Sequence, residues 1–161
     1  MIVEILEKFV MHALSRRNAI RGLALLCAGS AFASAEPSMA DDKPRLAIQG
    51  YDPVAYFTLG RPVPGLPEFE YEWDGHRYLF SRAEHRDLFM KDPVRYAPQF
   101  PNFCANAMTR GELIQADPRN FLISGGKLYM FGKATGPGLF QKGLTENIDK
   151  ANRNHTLIRN Q

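Results

Sequence analysis

Two stretches of the chain alternate apolar and polar side chains, and each is interrupted by a dipeptide suited to a tight turn. Phe69-Glu70-Tyr71-Glu72-Trp73 and His76-Arg77-Tyr78-Leu79-Phe80 flank Asp74-Gly75. A period of two with positive-φ residues between predicts a two-residue β-hairpin, with Phe69, Tyr71 and Trp73 on one face and Glu70 and Glu72 on the other. On its second strand His76, Tyr78 and Phe80 share a face. Asn120-Phe121-Leu122-Ile123-Ser124 and Lys127-Leu128-Tyr129-Met130-Phe131 flank Gly125-Gly126 and predict a second hairpin.

Helical signals lie beside these strands. Ser81-Arg82-Ala83-Glu84 reads as a capping box that starts a helix running to about Lys91, with Leu88 and Phe89 toward the core and His85 one turn before Phe89. Within Glu84-His85-Arg86-Asp87, His85 reads as a solvated or carboxylate-paired residue on a charged surface. Asp92-Pro93 ends that helix and opens a short turn through Tyr96. Asp52-Pro53 starts another, and Asp117-Pro118 is the third such pair. From about Leu139 the chain reads as helical, with Leu139, Phe140, Leu144 and Ile148 on one buried face and fraying beyond His155. Arg61 to Pro67 holds three prolines and a glycine and reads as a stiff loop. Two hairpins with helices packed beside them predict a small single α+β domain over residues 50–155, with a frayed tail at 156–161.

The first 49 residues follow different rules. Gly22 to Phe32 is a short apolar run, well below the roughly 20 residues of a membrane-spanning helix, and it ends at Ala33-Ser34-Ala35, an A-x-A cleavage site. Ser38-Met39-Ala40 offers a second. Ahead of the run, Ser15-Arg16-Arg17-Asn18-Ala19-Ile20-Arg21 resembles the receptor-read motif of bacterial twin-arginine leaders, with Arg21 where lysine is commoner. The resemblance implies a signal peptide over residues 1–35, recognition by the twin-arginine export machinery and a signal peptidase, and a periplasmic or otherwise exported product without a membrane span. An uncleaved amphipathic anchor, or translation from Met11, are the other readings of this stretch. Residues 36–49 are polar, contain proline and lack a period, and read as a flexible arm.

Removal of the leader alters what composition implies. Of the 20 lysines and arginines four precede Glu36, and of the 17 acidic residues two do, which leaves 126 residues with a net charge of +1. A nearly neutral domain gives no case for nucleic acid. Of the two cysteines Cys27 belongs to the leader, so Cys104 has no partner in the mature chain for an intramolecular disulfide.

Gly50-Tyr51-Asp52-Pro53-Val54-Ala55-Tyr56-Phe57, the Asp74-Gly75-x-x-Tyr78-x-Phe80-Ser81 hairpin, the Leu88-Phe89 helix end, Asp92-Pro93-x-x-Tyr96-Ala97-Pro98 and Phe103-Cys104-Ala105 occur in that order. Together they resemble an exported YHS domain protein. The short YHS domain is similar from about Asp52 to Tyr96, and longer exported relatives resemble the chain to its end, through Gly126 to Tyr129 and the Asn147-Ile148-x-Lys150-Ala151 helix. The resemblance implies a binding domain with a suspected role in metal handling. Metal-associated YHS domains carry cysteines at three positions that here hold Ala55, Ser81 and His85. Three thiolates reduced to one imidazole cannot reproduce a site selective for copper(I) or zinc.

A residual copper or zinc site is nonetheless drawn from Cys104, Met108, His85 and His76, the first two lying four apart as a soft sulfur pair. Cys104 reads most simply as a small buried hydrophobe, and otherwise as a thiol open to redox chemistry or a partner. Met108 reads otherwise as a gap-filler and His76 as a cross-strand contact. The motifs G-x-S-x-G, H-E-x-x-H, G-x-G-x-x-G and the P-loop are absent, so no catalytic signature is found. The functional expectation is thus an exported, non-catalytic YHS-type domain that handles metal. The alternative is an interaction or structural domain that has lost the site and binds an unknown periplasmic protein or a small ligand through Tyr51, Tyr56, Phe57 and Phe100. An enzyme of unrecognised type is the third reading.

Overall fold

Both turn dipeptides act as the sequence predicts. A computed structural model describes residues 43–160, so the leader and most of the arm lie outside the described residues. Asp74 (φ 46°) and Gly75 (φ 70°) join β2 (Leu66–Trp73) to β3 (His76–Phe80). Gly125 (φ 56°) and Gly126 (φ 70°) join β4 (Asp117–Ser124) to β5 (Lys127–Phe131). Paired positive φ values match the right-handed twist of the strands they connect. Registers run Trp73↔His76 and Ser124↔Lys127 from each turn, and a bulge interrupts each hairpin toward its open end. β2 begins inside the proline-rich loop, and Pro67 is tolerated because β2 is an edge strand.

The end of the expected flexible arm is ordered. β1 (Arg45–Leu46) pairs in parallel with β3, giving a three-stranded sheet of order β1-β3-β2. Ala47 and Ile48 are buried in the core. After β1 the chain takes a left-handed turn through Ile48 (φ 49°), Gln49 (φ 51°) and Gly50 (φ 84°). That conformation costs roughly 1–2 kcal/mol for each residue with a Cβ, and more for a β-branched one. Long-range hydrogen bonds hold it. Asn102 Oδ1 accepts from the Ile48 N–H at 2.6 Å while Asn102 Nδ2 donates to the Leu46 carbonyl at 3.0 Å, and Gln49 Nε2 donates to the Ala116 carbonyl at 2.7 Å.

All three Asp-Pro pairs use one local device, the carboxylate receiving an N–H two or three residues on. Asp52 Oδ1 accepts from Val54 and Ala55 N–H ahead of α1 (Ala55–Thr58), Asp92 from Arg95 N–H over α3 (Pro93–Tyr96), and Asp117 from Arg119 N–H. α2 (Ala83–Lys91) departs from its expected start: the box does not form, because Ser81 donates to Asp52 and Arg82 occupies the N-cap without a side-chain capping bond. Phe89 is buried on this helix, whereas Leu88 is exposed. α4 (Ala105–Met108), α5 (Gly136–Gln141) and α6 (Leu144–Arg159) complete the domain. Of the face expected around Leu139, Phe140 is buried and Leu139 is exposed, and α6 continues to Arg159 without fraying at His155. Among the described residues no helix is long and apolar enough to cross a membrane.

The β4–β5 ribbon separates two cores. Leu128 and Met130 join a first core built on β3, α2 and the left-handed turn, while Tyr129 and Phe131 join a second with α4, α5 and α6. Alternation along a strand apolar on both faces produces this division directly. Phe89 is the hub of the first core: the rings of Tyr71, Trp73, Tyr78 and Phe80 surround it at centroid distances of 4.7 to 6.3 Å.

Candidate functional site

Ala55, Ser81 and His85 converge in space, around Asp52. Asp52 is fully buried and five hydrogen bonds reach its carboxylate. Val54 N–H (2.9 Å) and Ala55 N–H (3.2 Å) donate to Oδ1. Ser81 N–H (2.9 Å), Ser81 Oγ (2.6 Å) and His85 Nδ1 (2.6 Å) donate to Oδ2. The turn into α1 and Ser81 after β3 deliver two of these donors each, and the first turn of α2 delivers one. A buried carboxylate is tolerated only when its lone pairs are met in this way.

His85 is 1% exposed, so of its two expected readings the solvated one fails and the carboxylate-paired one holds, with Asp52 as the partner. Its second nitrogen is also engaged. Arg82 has donors only and its guanidinium lies 2.6 Å from Nε2, so Nε2 accepts and the ring hydrogen sits on Nδ1, facing Asp52. Thr58 Oγ1 lies 3.2 Å from the same Nε2 and donates to the Val54 carbonyl. Asp52, His85 and Ser81 are the residue types of a hydrolase triad, but the wiring differs. In a triad the imidazole stands between carboxylate and hydroxyl, whereas here Ser81 Oγ gives its hydrogen to the carboxylate itself and stands 3.5 Å from Nδ1.

The four residues drawn together in sequence as a copper or zinc site are not gathered. His85 is buried on α2 against Asp52. Cys104 and Met108 belong to the second core, where the Met108 N–H donates to the Cys104 carbonyl across one turn of α4. His76 stands beside the β2–β3 turn, its Nδ1 2.9 Å from the Asp74 carbonyl. Among the described residues no three His, Cys, Asp or Glu side chains are placed to share a metal ion. His76, His85 and Cys104 therefore do not assemble a three-donor cluster for the copper or zinc that the family resemblance implies. Of the aromatic surface expected to bind a partner, Tyr56 and Phe100 are buried, Tyr56 donating its hydroxyl to the Pro118 carbonyl at 2.9 Å. Cys104 is 8% exposed at the edge of a hollow of about 330 Å³ bordered by Ile114, Lys133 and Leu139.

A larger groove of about 580 Å³ lies where β1, the β2–β3 turn and the end of α6 meet. His76 lines it, and so does His155, which the sequence places in a fraying tail. His155 is half-buried and packs edge-on against Phe100 at 5.2 Å. Burial, and then the positive charge of Arg159, hold its pKa below the usual histidine value, with Asp74 acting weakly the other way. The signal that could have found it is its spacing on α6, four residues beyond the buried Ala151. No family model, curated protein or solved structure matches the chain.

Proposed function

We propose that this chain is an exported, non-catalytic binding domain of YHS type in which a hydrogen-bonded carboxylate–histidine pair replaces the metal site of its metal-associated relatives. It acts in the periplasm by binding a protein or small ligand. The observation that carries this reading is that Ala55, Ser81 and His85 converge on Asp52 with both His85 nitrogens already committed. A metal ion would have to displace either the Asp52 carboxylate or the Arg82 guanidinium from a sealed imidazole. The twin-arginine motif and A-x-A site support export, and the ordered run of YHS-like motifs supports the family.

The test is metal content and affinity. Protein purified after export contains less than stoichiometric copper and zinc, and titration with copper(I) or zinc finds no binding tighter than roughly micromolar. Stoichiometric metal as isolated, or tighter binding that disappears in Cys104→Ser, contradicts the reading and restores the metal-handling one.

A further inference from the structure

The groove between β1, the β2–β3 turn and α6 combines an apolar floor with cations at one end. Phe103 and Ile158 are half-buried there, and Leu113 is 52% exposed on the rim with its side chain open to solvent. Lys43 and Arg45 stand exposed at the β1 end, and neither has a carboxylate partner among the described residues. Asp74, the one acidic residue of the lining, is held by Arg159 through two contacts of 3.2 and 3.3 Å. His76 and His155 complete the polar wall. Among the described residues, the fixed charge left uncompensated in the groove is therefore positive. A volume of about 580 Å³ falls within the range of small-ligand sites.

We infer that this groove binds a small amphiphilic carboxylate, its apolar body on Phe103, Leu113 and Ile158 and its carboxylate toward Lys43 and Arg45. The inference rests on the binding-domain reading above and names the ligand class. Apolar area alone would take any hydrophobe, and cations alone would take any anion. The pairing of both along one groove selects a molecule with a charged head and an apolar tail.

Decanoate serves as the probe, titrated calorimetrically into the exported protein below its aggregation threshold. One decanoate binds per chain, and its addition shifts the ring proton resonances of His76 and His155. Lys43→Glu with Arg45→Glu weakens binding by about tenfold or more, as does Leu113→Asp, whereas Leu139→Asp in the separate hollow beside Cys104 leaves it unchanged. Phosphate does not compete and decanol binds at least about tenfold more weakly. Absence of saturable binding overturns the inference. So does equal affinity for decanol, retention of affinity in the charge-reversed variant, or self-association abolished by Leu113→Asp, which would assign the groove to a second copy. None of these outcomes alters the metal measurement, so the two readings fail separately.

Discussion

His85 Nδ1 lies 2.6 Å from Asp52 Oδ2, and both side chains are sealed from solvent although 33 residues separate them in sequence. The contact ties the turn before α1 to the first turn of α2. Removing Asp52 leaves His85 Nδ1 and Ser81 Oγ without their acceptor, whereas removing His85 leaves Asp52 four of its five hydrogen bonds. Asp52→Ala is expected to destabilise the domain by about 3–5 kcal/mol, since it orphans Ser81 and His85 at once. The two single variants and the double variant with His85→Ala, unfolded in urea, should show a coupling of about 1 kcal/mol or more. Additive losses would mean the pair is not an energetic unit.

Tyr78 presents the opposite case. It is fully buried in the first core, and its hydroxyl has no hydrogen-bond partner among the described residues. Desolvation pushes its phenol well above the ordinary tyrosine value. Tyr78→Phe removes an unmet polar group and keeps the ring that packs on Phe89, so it should stabilise by about 1 kcal/mol. A urea midpoint lowered by the substitution would show that the hydroxyl is satisfied in solution.

The left-handed turn depends on Asn102. Its side-chain amide imitates a strand neighbour, donating to Leu46 and accepting from Ile48. Asn102→Ala should cost about 2 kcal/mol and speed hydrogen exchange at the Ile48 amide. Exchange at Ile48 as slow as in the wild type would place the restraint elsewhere, in the burial of the Ile48 side chain.

His155 gives a pH dependence of known sign. Its pKa is lowered in the folded state, so the unfolded chain binds more protons over the interval below about 6.5. Stability from this group is complete above that value and is lost as pH falls toward the folded pKa. The stability difference between the wild type and His155→Phe should therefore shift in the variant's favour between pH 7.5 and pH 5.5. No change in that difference would mean that the ring titrates as in the unfolded chain.

Much of the architecture is legible in the sequence because it is local. Asp74-Gly75 and Gly125-Gly126 mark both hairpins, and the three Asp-Pro pairs mark their turns by bonds spanning two or three residues. The candidate site is less legible. Ser81 reads as a cap because its neighbours permit a capping box, but the carboxylate it serves lies 29 residues upstream. His85 hides among Glu84, Arg86 and Asp87, and only its spacing from Phe89 marks the buried stripe of α2. The left-handed Ile48 has no local signature at all, since its restraint comes from Asn102, 54 residues away.

The central claim is that His85 is a committed partner of Asp52 rather than a free metal ligand. The most direct measurement is the nitrogen-15 spectrum of the histidine side chains, recorded before and after adding zinc. The expected result is a protonated Nδ1 and an acceptor Nε2 for His85, with neither resonance moved by the metal. A shift of either nitrogen at stoichiometric zinc, or a hydrogen on Nε2 instead of Nδ1, would contradict it.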